Sequence, residues 1–251
     1  AGIAVFSQPE ACADALRAWT AWRPPRDTEV RPVQVPAGLL RNHAAGATLS
    51  SAHSQAAFEE LGISQPREWL LDRDPESWPA GTLTSIGYPC VLKIVSADIP
   101  HKTEVGGVRL GIADAGALRA EAANMLESVR ALRPDAEIDG FQVQETIEGL
   151  AEVLVGISRD ASVGPVVSVD MGGILAEIYQ DVSLRPAPVG VDEALEMIGE
   201  VRAFAQISGY RNRPRGDLKA LAEAISRVSA LACLDEPRVA EAEINPLAVL
   251  A

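Results

Sequence analysis

Residues 87–110 read GYPCVLKIVSADIPHKTEVGGVRL, which predicts a strand, a polar loop and a second strand. Lys93 lies inside the apolar run 90–95. A charged side chain in an apolar strand costs free energy unless it has a partner or lines a cavity. One interpretation of Lys93 is therefore a lysine at a strand edge or paired with a carboxylate, and the other is a lysine that binds phosphate.

The loop after this strand contains His101, Lys102 and the pair Gly106 and Gly107. Glycines allow backbone N–H groups to approach a phosphate closely, as in other phosphate-binding loops. The alternative is a tight hairpin turn with a solvated histidine. The loop by itself leaves both interpretations open.

Outward from this segment, apolar runs of strand length alternate with helical patterns. Further strands are expected at 108–112, 141–145, 152–158, 165–171, 174–179 and 239–250, and helices at 50–62, 118–132, 192–206 and 218–232. The runs 141–145 and 152–158 are too close for a crossover helix, so antiparallel pairing must be present. The pattern predicts an α+β fold.

The first part of the chain has a different character. Residues 1–23 contain a short apolar run and an amphipathic helix, and residues 24–48 are rich in proline and glycine, which is typical of an extended linker. A domain boundary is expected in this linker. Because the chain begins in mid-pattern, we expect it to be a fragment of a longer polypeptide.

Composition limits the classes of function. The 251 residues carry 35 acidic and 22 basic side chains, a formal net charge of −13 at pH 7. Such a charge repels nucleic acids and anionic membranes, so neither is an expected partner. Three cysteines without zinc-type spacing, no apolar run of membrane-spanning length and no basic-then-apolar leader favour a cytoplasmic location.

Acidic residues form two further patterns. Glu243 and Asn245 are expected on one face of a strand, where a carboxylate and an amide oxygen would converge, and Glu177 is a further acidic candidate. Such oxygens suit Mg²⁺, which usually keeps water and nucleotide phosphates as its other ligands. Glu145 and Glu152 flank a turn at Gly149, where strand backbone could meet a planar base. Solvated strand ends are the alternative in both cases.

Taken together, these segments resemble the ATP-grasp domain of NDP-forming acyl-CoA synthetases, the relatives of acetate–CoA ligase (ADP-forming) and, more distantly, of succinyl-CoA synthetase. The matching stretches are 87–110, Val143-Gln-Glu145, 152–156, 172–177 and Glu243-Ile-Asn-Pro-Leu247, within about residues 49–251. The resemblance implies an ATP-grasp fold of two α/β subdomains with mixed or antiparallel sheets and a hinge near 140–150. Residues 1–23 are similar to the closing segment of a preceding CoA-ligase domain.

The resemblance also implies a reaction in three parts. Acyl-CoA and phosphate give an acyl phosphate and CoA, the phosphoryl group passes to a histidine of a CoA-binding half, and the ATP-grasp domain transfers it to ADP. His101 is the implied second phosphoryl acceptor, since imidazole is a nucleophile near neutral pH. The implied partner is the CoA-binding half, in the same polypeptide or a separate subunit, within an oligomer.

The implied ligands of this domain are ATP or ADP and Mg²⁺. The residues implied for nucleotide binding are Lys93, Gly106, Gly107, Gln144, Glu145, Glu152 and Arg185, and those implied for the metal are Glu177, Glu243 and Asn245. In these roles Lys93 and Arg185 meet phosphate, Glu152 reaches the ribose, and the backbone around Gln144 and Glu145 meets adenine.

One position departs from the family. Relatives usually carry a nucleotide-facing lysine seven residues before the glycine that ends the first helix, and this chain has Gln55 there. Loss of this cation is expected to weaken nucleotide binding. The alternatives to an enzyme are a regulatory nucleotide-sensing module attached to an acyltransferase and a structural dimerisation half. His101 favours the enzyme, because a sensor needs no phosphoryl acceptor.

Overall fold

The computed structural model describes residues 8–21, 33–36, 38–41, 43–44, 46–96, 98–99, 102–172, 181–236 and 238–251. His101, Glu177 and the strand expected at 174–179 lie outside the described residues. The chain separates into two compact units, residues 1–31 and 32–251, which are described separately. In the first unit, helix α1 (Pro9–Ala21) coincides with the expected amphipathic helix.

The second unit contains the remaining helices and strands. In chain order the described elements are α2 (Ser51–Glu60), β1 (Glu68–Asp72), α3 (Ala80–Ser85), β2 (Cys90–Val95), β3 (Val108–Ile112), α4 (Ala115–Leu132), β4 (Gly140–Glu145), β5 (Ala151–Asp160), β6 (Gly164–Met171), β7 (Ser183–Pro186), α5 (Val191–Glu200), α6 (Leu218–Ser229) and β8 (Glu241–Val249). Helices α4 and α6 begin after Asp114 and Asp217, whose carboxylates accept backbone N–H bonds at 2.8 and 2.9 Å. These two N-caps explain the sharp starts of both helices.

The strands in the described ranges form two four-stranded antiparallel sheets, in the orders β1-β4-β2-β3 and β7-β6-β5-β8. The predicted α+β fold is confirmed. The expected pairing of residues 141–145 with residues 152–158 is wrong, because these residues form β4 and β5, which belong to different sheets. The Glu145 N–H bonds to Arg67 in the first sheet, and the Leu150 N–H already bonds to Val249 in the second, at 2.9 and 2.7 Å.

Strands β1 and β7 were not expected from the sequence. Both are edge strands. β1 leaves Leu70 77% exposed, so it lacks a clean alternation of apolar and polar residues, and β7 has only four residues and ends in Pro186. Edge position removes the burial that makes a strand visible as an apolar run.

Each sheet packs one face against helices. Fully buried side chains of the first core, between its sheet and α4, include Leu92, Ile94, Leu118, Met125, Val129, Phe141 and Val143. Those of the second core, between its sheet and helices α5 and α6, include Val153, Val155, Val167, Val169, Met197, Ile225 and Val228. Because successive side chains on a strand alternate between faces, the polar residues of both sheets lie on the faces opposite these cores.

Part of the segment expected to be an extended linker is packed against the second core. Leu39 is only 3% exposed, and Val35 and Leu40 lie beside it. Proline and glycine content reports on backbone freedom and not on burial of the apolar residues between them, so the composition did not reveal this contact. Helix α2 also packs on the second core through Phe58, followed by Leu61.

Candidate functional site

Lys93 lies on β2, an interior strand flanked by β4 and β3, so the strand-edge interpretation does not apply. Its ammonium donates a hydrogen bond of 2.7 Å to Oε1 of Gln144, an amide and not a carboxylate. Burial holds the pKa of Lys93 below its ordinary value, and the charge of Glu68 partly opposes this shift. The lysine is therefore half-buried and held in place on the polar face of the first sheet.

Lys93 belongs to a group of polar side chains centred on Glu68 of β1. The carboxylate of Glu68 accepts hydrogen bonds from the amides of Gln55, Gln144 and Gln142, at 2.9, 2.7 and 2.6 Å. We call these five residues the Glu68 cluster. The sequence interpretation missed Glu68 and Gln142. The i, i+2 spacing of Gln142 and Gln144 on a buried strand was the available signal for the latter.

The described part of the loop after β2 forms a tight turn. The Gly107 N–H bonds to the Lys102 carbonyl at 2.7 Å, the Gly106 N–H bonds to the Thr103 carbonyl at 3.1 Å, and the Ile94 N–H bonds to Gly107 at 2.9 Å. Gly106 has a φ of +68°, which glycine adopts without strain. Both glycine N–H groups are thus used inside the turn, and a phosphate would have to displace these bonds to reach them.

The end of β4 carries Glu145, which forms an ion pair with Arg67 at 3.0 Å. This contact lowers the pKa of Glu145 and raises that of Arg67. Beside it lies an open pocket of about 300 Å³ lined by residues 87–89, Glu145, Thr146 and Glu148. The hydroxyl of Thr146 is buried and has no hydrogen-bond partner among the described residues. A buried hydroxyl without a partner, beside a pocket, is a candidate for a hydrogen bond to a ligand.

On the second sheet, Glu243 and Asn245 are exposed while Ile244 packs against the core, as the period-two pattern predicts. Glu243 lies opposite Gly156 of β5. A bulge follows, because Val155 pairs with Ile244 and Val153 pairs with Leu247, so that Asn245 and the next residue both face Leu154. The bulge leaves Glu243 and Asn245 on the same face of the sheet.

Asp170 of β6 lies on this face as well, since Ser168, two residues before it, is the other neighbour of Gly156. Burial and the charge of Glu243 raise the pKa of Asp170. Its Oδ1 is buried and has no partner among the described residues. Asp170 itself pairs with Leu154, next to the row of Gly156 and Glu243, so two carboxylates and an amide oxygen lie on one face of the sheet, a donor set that suits a hard cation. Within the described chain, no three His, Cys, Asp or Glu side chains converge on one point.

The last two sequence-predicted residues, Glu152 and Arg185, lie in different environments. Glu152 is exposed near the start of β5, on the same face as Glu243, and its carbonyl accepts the Gly172 N–H at 2.8 Å. Arg185 of β7 is paired with Glu200 and, at 3.6 Å, with Glu193 of α5, and the bond to Glu200 is the main reason that its pKa is raised. Arg185 is thus already neutralised by two carboxylates.

Comparison with known proteins identifies similar chains. A family model described as ATP-grasp domain matches residues 41–251. Acetate–CoA ligase [ADP-forming] I of Archaeoglobus fulgidus is 42% identical over 165 residues, which cover 66% of this chain and 24% of that protein. Acetate–CoA ligase [ADP-forming] I subunit beta of Pyrococcus furiosus is 40% identical over 162 residues, which cover 64% of this chain and 69% of the subunit.

A solved structure with a similar fold is that of the Ca. Korarchaeum cryptofilum dinucleotide forming acetyl-coenzyme A synthetase 1 in complex with coenzyme A, Ca-AMPCP and HgCl+. It matches with a TM-score of 0.69 and 32% identity, over 79% of this chain and 86% of that chain. The present chain thus spans about a quarter of the Archaeoglobus relative. None of the helices in the described residues has the length and apolar character that a membrane span requires.

Proposed function

The chain belongs to the ATP-grasp domain family, and from this membership we propose that it is the nucleotide-binding half of an ADP-forming acid–CoA ligase. The observation that carries the proposal is Lys93, a half-buried ammonium on an interior strand that is held by an amide and has no direct carboxylate partner among the described residues. A cation in this position is available to balance phosphate charge. A chain with a net charge of −13 needs such a local cation to bind a nucleotide.

The nucleotide is proposed to bind along the polar faces of the two sheets. Its phosphates meet Lys93, and its base enters the pocket beside Glu145, where the Thr146 hydroxyl and strand backbone offer hydrogen bonds. Glu152 reaches the ribose. Arg185 contributes only if a phosphate replaces its carboxylate partners.

Mg²⁺ is the cation proposed for the acidic face of the second sheet. Glu243 and Asn245 would hold it, together with Asp170, whose orphaned buried oxygen supports the assignment, and with Glu177. When bound, Mg²⁺ supplies positive charge that stabilises the transferring phosphoryl group. The side chains of Glu243, Asn245 and Asp170 would fix the position of the cation and thereby orient the phosphates of the nucleotide.

His101 is proposed to carry the phosphoryl group between the CoA-binding half and ADP. The P–N bond to a histidine of that half breaks as a P–N bond to His101 forms, and the second bond breaks as an oxygen of the ADP β-phosphate takes the group. The turn closed by Gly106 and Gly107 fixes the C-terminal end of this loop on β2. The CoA-binding half is the proposed partner, in an oligomer, and the cytoplasm is the proposed location, since acyl-CoA and ATP are found there.

Calorimetry of the chain with ATP and ADP tests the nucleotide part of the proposal. Binding is expected with Mg²⁺ and is expected to be lost after chelation, because the phosphates need the metal as well as Lys93. Lys93→Met should abolish binding, whereas Lys219→Met, which removes an exposed lysine of α6, should leave it unchanged. Equal binding by Lys93→Met and wild type would exclude the proposed phosphate site.

A second experiment tests the division of labour. The chain alone is expected to form no CoA thioester, since the CoA site and the first phosphohistidine belong to the partner half, and adding that half should restore synthesis. Thioester formation by the chain alone would contradict the proposal. A nucleotide-sensing module, the alternative, would bind Mg-ATP without phosphoryl transfer after the half is added.

A further inference from the structure

Glu68, which is outside the set of residues proposed for nucleotide binding, lies at the centre of the cluster that holds Lys93. We propose that Glu68 is a positioning residue: it fixes the orientation of the Gln144 carboxamide and thereby holds the Lys93 ammonium in place for a phosphate. The inference rests on the proposed function only in naming the phosphate. The positioning itself follows from the contacts within the cluster.

The orientation of Gln144 follows from the chemistry of its two neighbours. A carboxylate can only accept hydrogen bonds, and an ammonium group can only donate them. Gln144 lies between the two, with its Nε2 at 2.7 Å from Glu68 and its Oε1 at 2.7 Å from Lys93. The reverse orientation would turn the amide hydrogens toward the ammonium and the amide oxygen toward the carboxylate, so Glu68 and Lys93 together determine the orientation of Gln144, and Glu68 is the partner that anchors its Nε2 end.

The remaining contacts hold Glu68 itself. Glu68 pairs with Gln144 across β1 and β4, so both side chains project from the same face of the sheet. Its Oε1 also accepts the Gln55 amide at 2.9 Å, and its Oε2 accepts the Gln142 amide at 2.6 Å. Both carboxylate oxygens are therefore occupied by amides.

This arrangement leaves Lys93 free for a ligand. Among the described residues, its ammonium donates only to Gln144. An ammonium group has three N–H donors, so two remain for phosphate oxygens. A direct ion pair with Glu68 would instead neutralise the lysine. Glu68 thus holds Lys93 through an amide without taking its charge.

Two variants separate position from charge. Glu68→Asp keeps the charge but shortens the side chain, so the carboxylate cannot keep all three hydrogen bonds from the glutamine amides. Glu68→Gln keeps the length but removes the charge that orients Gln144. A positioning role predicts that both variants lose about tenfold in Mg-ATP affinity, about 1.4 kcal/mol. A carboxylate that acts only as a repelling charge predicts wild-type affinity for Glu68→Asp and tighter binding for Glu68→Gln.

The measurement is calorimetry of Mg-ATP binding to the full chain at pH 7. Glu127→Gln, which removes an exposed carboxylate of α4, is the matched control and should bind as wild type. A double-mutant cycle adds Gln144→Ala. If Glu68 acts through Gln144, then Glu68→Gln causes no further loss in the Gln144→Ala background. Losses that multiply, or tighter binding by Glu68→Gln, would overturn the proposal.

A ligand-free readout keeps this test separate from the proposed function. The chain has only three lysines, Lys93, Lys102 and Lys219, so side-chain resonances of isotopically labelled lysine are readily assigned. NMR relaxation at Cε of Lys93 should show a restrained side chain in wild type and a freer one in both Glu68 variants, with Glu127→Gln unchanged. Unchanged motion in the Glu68 variants refutes positioning. Failure of wild type to bind Mg-ATP, with these motions as expected, refutes only the nucleotide site.

Discussion

Gly107 is the position where a single methyl group should most directly disturb the turn after β2. A Cβ added there would lie 2.7 Å from Cγ2 of Ile94 and 2.9 Å from the Lys102 carbonyl oxygen. Ile94 is fully buried, and the Lys102 carbonyl accepts the Gly107 N–H, so neither neighbour can withdraw freely. Overpacking of this kind costs about 1–3 kcal/mol, and loss of the turn hydrogen bond about 1 kcal/mol more.

We therefore expect Gly107→Ala to lower the free energy of unfolding by about 3 kcal/mol, which for a chain of this size lowers Tm by about 6–12 °C. Differential scanning calorimetry of the full chain measures this change. Gly81→Ala in α3 is the control, because a Cβ there meets nothing within 4 Å and alanine favours the helix, so Tm should stay constant or rise slightly. If Gly107→Ala melts with wild type, the turn is not held by packing against Ile94.

Four further predictions concern the proposed site. His101→Ala should leave Mg-ATP affinity within about twofold of wild type and stop phosphoryl transfer to ADP in the reconstituted enzyme, followed with labelled phosphate; turnover at the wild-type rate would exclude the acceptor role. Glu243→Gln should weaken Mn²⁺ binding, measured by electron paramagnetic resonance, and should weaken nucleotide binding in the same way as chelation does. An unchanged Mn²⁺ spectrum would remove Glu243 from the metal site. Gln55→Lys should change Mg-ATP affinity by less than about twofold, since the new ammonium group would lie at the Glu68 carboxylate, which would neutralise it; a gain of about tenfold in calorimetry would contradict this. Only the ammonium form of Lys93 binds phosphate, and burial lowers its pKa. Mg-ATP affinity should therefore be full at neutral pH and should fall as the pH rises, before the pH reaches the range where an ordinary lysine loses its proton; affinity that is constant up to pH 11 would refute this.

The sequence predicts those site residues that can be recognised from the pattern of a single strand. The period-two spacing of Glu243 and Asn245, and the charge of Lys93 within an apolar run, are visible without any knowledge of neighbouring strands. The interior strands β2, β4 and β5 were predicted within a few residues for the same reason, since burial on a sheet produces long apolar runs.

The missed residues depend on partners that are distant in the chain. Glu68 becomes important only through Gln144, 76 residues later, and Asp170 only through Glu243 across β5. No local pattern marks either carboxylate as different from a solvated one. Arg185 shows the opposite effect, because an arginine that looks available in the sequence is neutralised by Glu193 and Glu200 of the following helix.

The hydrogen bond between Gln55 and Glu68 joins two parts of the molecule that otherwise have separate cores. α2, which carries Gln55, rests on the second core, and Arg227 of α6 anchors the carbonyls of Leu61 and Gly62 just beyond its end at 3.3 and 2.5 Å. Glu68 belongs to the first sheet. Any swing of one sheet relative to the other must therefore either break this bond or pull the carboxylate along with the helix. The bond therefore couples the relative orientation of the two sheets to the position of Glu68. Because Glu68 holds Lys93 through Gln144, a change in the orientation of the sheets would change the mobility of the Lys93 ammonium.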